Sequence, residues 1–502
     1  MGTIQLLDSV FGPKTLAQRG TSSVNTASKP ANVAPSALTR SKVGTARHIV
    51  FVLCVLAALM SSIDFTIVSV AVPQFTRAFD TSLTLIAWTL TGYQLVQLVM
   101  LPLSGKLSDS FGRKRVFLLC VGTFTVGSLL CGLAPNIWFL ILARLIQAVG
   151  GGGLMPCTVG VIADQYPDRR AQAVGLFTSV MPIGSIIGPN LGGFILEHWS
   201  WREMFFVNVP LGVIVVLAVA SLLHEQSVRT ARHIDVAGLA LFASAITLLL
   251  LSLTVAGNDP TLWRSLPVLG GVLGSVALFA GFVWYIRNAE DPLMEYRFMA
   301  RPPFLAVNLY NFFFGAAVFG FSSFLPTYAV LVFGMDAYLS GAVLTPRAIV
   351  MIVISVLASL FIIKLGYRVP MLVGMALVAL MLLLLGPGWT QVQIGPWTFG
   401  GFWFLASILV ISGAGNGLST PSSSNAALDL APEKAAALTG IRSMFRLTGG
   451  VISISGVVAA MTFFPDQARG LATIFALLAL PVFLAAPLAL LIPDTANQRR
   501  HH

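Results

Sequence analysis

The sequence predicts an all-α polytopic membrane protein with fourteen transmembrane helices, and three observations carry that prediction. The chain of 502 residues is 56% hydrophobic and only 10% charged, with a mean hydropathy of +0.86. Soluble domains carry about 25% charged residues, so a soluble fold of this length would leave much of its apolar surface in water. Apolar runs of about 20 residues recur along the whole chain, each enough to cross a hydrocarbon core of about 30 Å as a helix. They are too long and continuous for the alternating strands of a transmembrane barrel. Finally, Lys and Arg separate by loop, as topology requires. The net charge of +11 therefore sets orientation in a bilayer and does not point to nucleic acid.

Residues 1–47 are polar, hold six Lys or Arg against the single acid Asp8, and lack a cleavable signal pattern. They are expected to form a disordered cytosolic tail. An N-terminal six-helix half follows over 48–224, with spans near 48–72, 86–103, 116–133, 137–162, 173–196 and 204–223. A linker over 225–303 holds two further spans, near 236–256 and 266–286. A C-terminal six-helix half over 304–492 has spans near 304–333, 340–363, 369–385, 402–422, 436–463 and 471–492, and 493–502 form a second cytosolic tail. An even count puts both ends on one side. Loops on that side carry sixteen Lys or Arg, from Lys106 to Arg500, whereas the opposite loops carry Arg77, Arg202, Arg264 and Arg469. The asymmetry places both termini in the cytosol.

Asp64 is the only ionisable side chain between His48 and Arg77, within Ser61-Ser62-Ile63-Asp64-Phe65-Thr66-Ile67-Val68 of the first span. A carboxylate near the middle of a membrane helix costs about 2.5–3.5 kcal/mol on insertion scales and normally faces a bundle interior or a watery cavity. Two readings follow: a proton-binding group coupled to solute movement, or a carboxyl that hydrogen-bonds to a neighbouring helix as glue. Arg144 is a second charge inside the membrane, in Arg144-Leu145-Ile146-Gln147 of the fourth span. Its guanidinium is always charged and needs partners. A structural arginine bonded to backbone carbonyls and Gln147 is the alternative to a role in proton coupling.

The loop after the second span reads Gly105-Lys106-Leu107-Ser108-Asp109-Ser110-Phe111-Gly112-Arg113-Lys114. Gly105 is expected to allow close helix approach and Gly112 to take a backbone conformation that a Cβ resists. Asp109 can pair with Arg113 or face a helix N-terminus. A weak echo, Ser359…Gly366-Tyr367-Arg368, has Ile363 where Asp109 would fall, so the second copy has lost its acid. In the fifth span Gly184, Gly188 and Gly192 recur every four residues, followed by Gly193, with Pro189 among them. Such a stripe lets helices touch without lipid between them, and the proline bends the helix. This suits a hinge, a seal against leak, or plain close packing.

Arg442 and Arg446 share a helix face, and Asp429 or Glu433 is expected to pair with Arg442. Arg347 begins the tenth span and is a candidate for an outer vestibule. A substrate cavity is expected from Gln94 and Gln97 of the second span and from Asn311, Phe324 and Tyr328 of the ninth. Aromatics with a few amides suit bulky lipophilic solutes, including cations attracted to ring faces. The four cysteines lie inside apolar runs without paired spacing and read as buried thiols. Neither a metal pattern nor an ATP-binding loop is present, because Gly150–Gly153 lacks the following Lys and lies in a span.

Taken together, the Asp64–Pro73 stretch, the Gly105–Lys114 loop, Arg144…Gly150, Gly184–Gly193 and Trp201-Arg202…Asn208-Val209-Pro210-Leu211-Gly212 resemble the motifs of the major facilitator superfamily, specifically its fourteen-span drug:proton antiporter branch. The resemblance implies two six-helix halves plus two inserted helices, with the site between the halves. It implies Asp64 and Arg144 in proton coupling, Gly105, Asp109, Gly112 and Arg113 in gating, and Gly184, Gly188, Pro189, Gly192 and Gly193 as the antiporter motif. The expected activity is not enzymatic. It is proton-coupled export of lipophilic, cationic drugs by alternating access from a bacterial inner membrane. The chain would act as a monomer with no cofactor beyond the proton gradient. Its partners would be a small lipophilic substrate, protons and the bilayer, not nucleic acid. An exporter of lipids or glycolipids on the same fold is the alternative, and a non-transporting sensor is a second.

Overall fold

The computed structural model describes residues 37–223, 235–289, 296–394, 397–430 and 435–494. Among the described residues, fourteen helices are long and apolar enough to cross a membrane. Spans 1 to 6 are Arg47–Phe79, Leu83–Phe111, Arg113–Gly132, Ile137–Gln165, Gln172–His198 and Glu203–Leu222. Spans 7 and 8 are Val236–Ala256 and Leu266–Asn288. Spans 9 to 14 are Pro302–Phe333, Ala337–Ser359, Arg368–Leu385, Gly401–Asp429, Thr439–Met461 and Gln467–Leu490. Backbone groups in lipid must be satisfied within the segment, which is why each apolar run closes on itself as a helix.

Two differences from the sequence expectation stand out. The helix of span 1 begins at Ala37, so residues 37–47 of the expected tail continue it. Extending an existing helix avoids the cost of nucleation, and the stretch holds no proline. Residues 1–36 and the basic linker at 224–234 lie outside the described residues. Between spans 11 and 12, β1 (Gln391–Ile394) pairs antiparallel with β2 (Trp397–Gly400), Gln391 opposite Gly400. The reading by apolar runs left this segment as a loop. Its period-two alternation, Gln391-Val392-Gln393-Ile394, is too short to register beside runs of 20 residues.

Within spans 1–6 the helices pack around Phe117, Phe124, Phe177 and Phe205, and within spans 9–14 around Tyr310, Phe314, Phe321 and Phe475. The second and sixth helices of each group carry a one-residue interruption, near their start at Ala87, Val207 and Val343 and midway along the last helix at Leu478. Spans 7 and 8 pack on each other through Phe242 and Phe282 and through Ser275, which donates to the Ala245 carbonyl at 2.8 Å. They also cover the seam where span 2 meets span 13. Leu95, Leu98, Phe242, Ile246, Met444 and Val451 form one apolar cluster there, and Trp88 Nε1 donates to Thr254 Oγ1 at 2.8 Å.

Candidate functional site

Asp64 lies about midway along span 1, whereas every other acid within the fourteen spans sits in an end turn. Its carboxylate meets Arg144 as an ion pair in which neither side chain keeps any exposed surface, with Arg144 Nη1 2.6 Å from Asp64 Oδ2. One turn along span 4, Gln147 donates Nε2 to Asp64 Oδ1 at 2.8 Å and accepts from Arg144 Nη1 at 2.7 Å. Asn208 of span 6 donates Nδ2 to the same Oδ1 at 3.2 Å. Ser128 of span 3 accepts from Gln147 and Asn208 at 3.1 and 3.2 Å and donates to the Phe205 carbonyl at 2.9 Å. From span 2, the Thr89 carbonyl accepts from Arg144 Nε at 3.2 Å and the Tyr93 ring centroid lies 4.2 Å from the guanidinium carbon.

Spans 1, 2, 3, 4 and 6 therefore converge on one charge-neutral cluster. Among the described residues three N–H donors face the Asp64 oxygens, as suits a carboxylate. Close packing makes the convergence possible. A Cβ at Gly127 would strike the Gln147 backbone, so only glycine lets spans 3 and 4 approach closely enough for Ser128 to reach Gln147. In such an interior each partner depends on the other, and losing one leaves an uncompensated charge worth about 3–5 kcal/mol.

Span 5 runs unbroken through Pro189. Its Gly184, Gly188 and Gly192 lie against Ser62, Thr66 and Ile67 of span 1, where any Cβ would collide. Thr66 Oγ1 donates to the Gly184 carbonyl at 3.2 Å. Gly193 faces the other way, onto the backbone of Ala337 and Tyr338 at the start of span 10, while Gly341 abuts the Pro189 carbonyl. Asn190 Nδ2 donates to Thr345 Oγ1 at 2.6 Å. The motif thus holds span 1 on one face and latches the two six-helix groups together on the other, at the end of the bundle opposite Ala37 and Asp494.

In the loop after span 2, Gly112 takes φ 101°, a region closed to side chains. Arg113 lies 3.7 Å from Asp109 and 3.0 Å from Asp164 of span 4, and it also donates to the Gly160 carbonyl. Gly105 differs from expectation: a Cβ there would meet nothing within 4 Å, so no close helix approach depends on it. At the echoed turn, Gly366 takes φ 71° and the Tyr367 N–H donates to Asp494 Oδ1 at 2.8 Å. A carboxylate from the far end of the chain occupies the turn whose own acid is missing.

The residues expected to line a substrate cavity separate. Phe324 and Tyr328 are fully buried in the core of spans 9, 11 and 14, with the Tyr328 hydroxyl donating to the Leu385 carbonyl at 2.9 Å. They continue the Tyr310, Phe314 and Phe321 stripe, whose helical spacing turns all five rings inward. Gln94 is buried with both amide atoms unpartnered, and Gln97 is half-buried beside Gly152. Asn311 accepts from Arg442 Nη1 at 3.3 Å. The expected pairing of Arg442 with Asp429 is replaced by this contact, and Asp429 accepts instead from the Tyr367 hydroxyl at 2.5 Å; Glu433 lies outside the described residues. Arg446 reaches Thr420 Oγ1 and Asn416 Oδ1, both at 3.3 Å, and Arg347 Nε donates to Ser412 Oγ at 3.2 Å. A separate apolar cavity of about 390 Å³ opens between spans 7, 8, 9 and 13, lined by Phe242, Phe279, Phe312, Phe313 and Phe445 among others.

Reasoning from sequence missed Asn208 and Ser128 as members of the Asp64 cluster. Asn208 carried a signal, as the only polar side chain from 208 to 220. Ser128 and Asp494 carried none, because a serine in a span and an acid near a terminus are both commonplace.

A family model described as Major Facilitator Superfamily matches residues 54–454. The chain is 30% identical over 81% of its length to the multidrug transporter protein MdtP of Bacillus subtilis (strain 168), of which the match covers 74%. It is 29% identical over 84% of its length to a multidrug resistance protein B homolog of Mycobacterium tuberculosis (strain ATCC 25618 / H37Rv), covering 77% of that protein. Among solved structures, tetrameric PepTSo2 superposes with a TM-score of 0.59 at 16% identity, covering 91% of this chain and 99% of that one. That likeness speaks for the fold.

Proposed function

The chain belongs to the major facilitator superfamily, and on that premise we propose that this multi-pass membrane protein is a proton-coupled exporter of bulky lipophilic compounds working by alternating access. The relatives named as multidrug transporters support export of drugs or toxic compounds. The observation that carries the proton-coupling part is the sealed Asp64–Arg144–Gln147–Asn208 cluster. A proton placed on Asp64 removes one charge of the pair, turns one oxygen from acceptor to donor, and loosens the hold of spans 4 and 6 on span 1. Span 1 lies directly on the glycine face of span 5, whose other face forms the latch to span 10. Protonation and opening of the latch are thereby mechanically adjacent. Their coupling can be no larger than the difference in proton affinity between the two states.

In this reading the bacterial inner membrane holds the protein with both termini in the cytosol, following the loop charges. One chain suffices, and the proton gradient is the only energy source. The test is gradient-driven efflux of a lipophilic dye from proteoliposomes, wild type against Asp64→Asn. Wild-type flux that follows the gradient, with a variant that still binds dye yet ignores the gradient, supports the reading. A variant that still responds to the gradient moves the proton site elsewhere. The apolar cavity beside spans 7 and 8 favours one second reading, an exporter of lipids. Competition between dye and lipid for flux separates the two.

A further inference from the structure

Among the described residues, spans 9–14 contain three arginines inside the bundle and no acid paired with them. From Pro302 to Ile492 the acids are Asp336, Asp429, Glu433 and Asp466, all at span ends or in loops. Three of these, and Asp494 beyond them, have other partners among the described residues: Asp336 and Asp466 cap the helices of spans 10 and 14, Asp429 takes the Tyr367 hydroxyl, and Asp494 takes the Tyr367 N–H. Among the described residues, Arg347, Arg442 and Arg446 hydrogen-bond only to neutral oxygens.

Those oxygens are ordered. Ser412, Asn416 and Thr420 recur every four residues on one face of span 12, holding Arg347 on the first and Arg446 across the next two. Arg442, one turn from Arg446 on span 13, rests on Asn311. The Nε atoms of Arg442 and Arg446 are buried and hydrogen-bond to nothing. The aromatic faces are already taken by the protein's own cations. Arg446 lies 5.6 and 5.8 Å from the Phe314 and Phe319 ring centroids, and Arg347 lies 5.1 Å from that of Phe321. Among the described residues a cationic solute would meet three like charges and no free carboxylate in this half, and in the other half Asp64 is sealed by Arg144. A guanidinium in a low-dielectric interior calls for an anion, and its planar fork matches carboxylate, sulfonate or phosphate oxygens.

We propose that the transported lipophilic solute carries an anionic group, and that Arg446 and Arg442, with Arg347 beside them, neutralise it at the Ser412–Asn416–Thr420 face. This rests on the export reading above and reverses the sign of charge expected from the sequence. The anionic group could belong to a free lipophilic acid or to a bilayer lipid headgroup; the shared chemistry is an oxyanion on an apolar body.

The test uses the full chain in phosphatidylcholine nanodiscs and three probes with one apolar body: pyrenebutyrate, its primary amide, and a pyrenyl trimethylammonium cation. Wild type is expected to bind the carboxylate about tenfold or more tighter than the amide, with the cation weakest. Arg446→Gln is expected to bring carboxylate and amide within about twofold of each other. Equal affinities for all three probes, or a preference for the cation, overturns the proposal without recourse to any variant. If Arg446→Gln does not fold, Arg442→Gln serves as the second variant. Repeating the titration in phosphatidylglycerol nanodiscs separates the sources: competition by the lipid identifies a headgroup, and unchanged binding identifies a free acid. Binding selectivity without gradient-driven flux of any probe would refute the export reading and leave the anion site standing. Flux without selectivity would do the reverse.

Discussion

In spans 1–6 the buried Arg144 is matched by Asp64 and enclosed by Gln147, Asn208, Ser128 and Tyr93, whereas in spans 9–14 Arg347, Arg442 and Arg446 lean on the hydroxyls of Ser412 and Thr420 and the amides of Asn311 and Asn416, all of them neutral. One half carries a closed, neutral cluster that a single proton would unbalance. The other carries a standing positive charge with no carboxylate paired to it among the described residues. The contrast teaches that two halves of one fold can hold arginine for opposite purposes. A matched arginine makes its half depend on the pair, while unmatched arginines carry a desolvation cost that a bound anion, as proposed above, would offset.

The sharpest way to break this comparison is to remove one charge from each half and measure thermal unfolding in detergent. Arg144→Gln leaves Asp64 uncompensated and is expected to lower stability by about 3–5 kcal/mol, with much of the loss regained in the Asp64→Asn/Arg144→Gln double variant. A loss below about 1 kcal/mol would mean that the cluster is wetter than its geometry implies. The glycine face of span 5 comes next. Gly188→Val drives a side chain into Thr66 and the Ile63 carbonyl and is expected to cost about 1–3 kcal/mol, with gradient-driven flux abolished. Gly105→Ala meets open space and should stay within about 0.5 kcal/mol of wild type.

A smaller effect is expected at the turn after span 10. Asp494→Asn keeps the shape but weakens the hydrogen bond to the Tyr367 N–H, for an expected loss of about 1 kcal/mol. Smallest of all is Arg446→Gln. Removing an unmatched charge should leave stability unchanged or raise it by up to about 1 kcal/mol. A large loss there would show that Arg446 has a structural partner and would erase the asymmetry between the halves.

Much of the Asp64 site was legible in sequence because charge inside an apolar run is conspicuous. Asp64, Arg144 and Gln147 stand out from their neighbours by polarity alone. The expected cavity was less legible, since the spacing that puts Phe324 and Tyr328 on one face of their helix does not say whether that face meets a packed core or a cavity. Glycines divide in the same way. Gly184, Gly188 and Gly192 announce a contact face, but the sequence does not say that Gly105 touches nothing while Gly127 presses on Gln147.

What the sequence by itself determined is the membrane class, the fourteen helices and the presence of charges that need partners. The physical reason is local: a bilayer requires each apolar segment to satisfy its own backbone, so the run of residues decides the helix. What only the tertiary structure decided is who those partners are. Asn208 and Ser128 close on Asp64 from two other helices, Asp494 returns to a turn more than a hundred residues away in sequence, and Arg442 chooses Asn311 over Asp429. Helices already inside lipid gain nothing by hiding apolar surface, so their arrangement follows from side-chain fit and a few buried polar contacts, and these exist only once the helices have met.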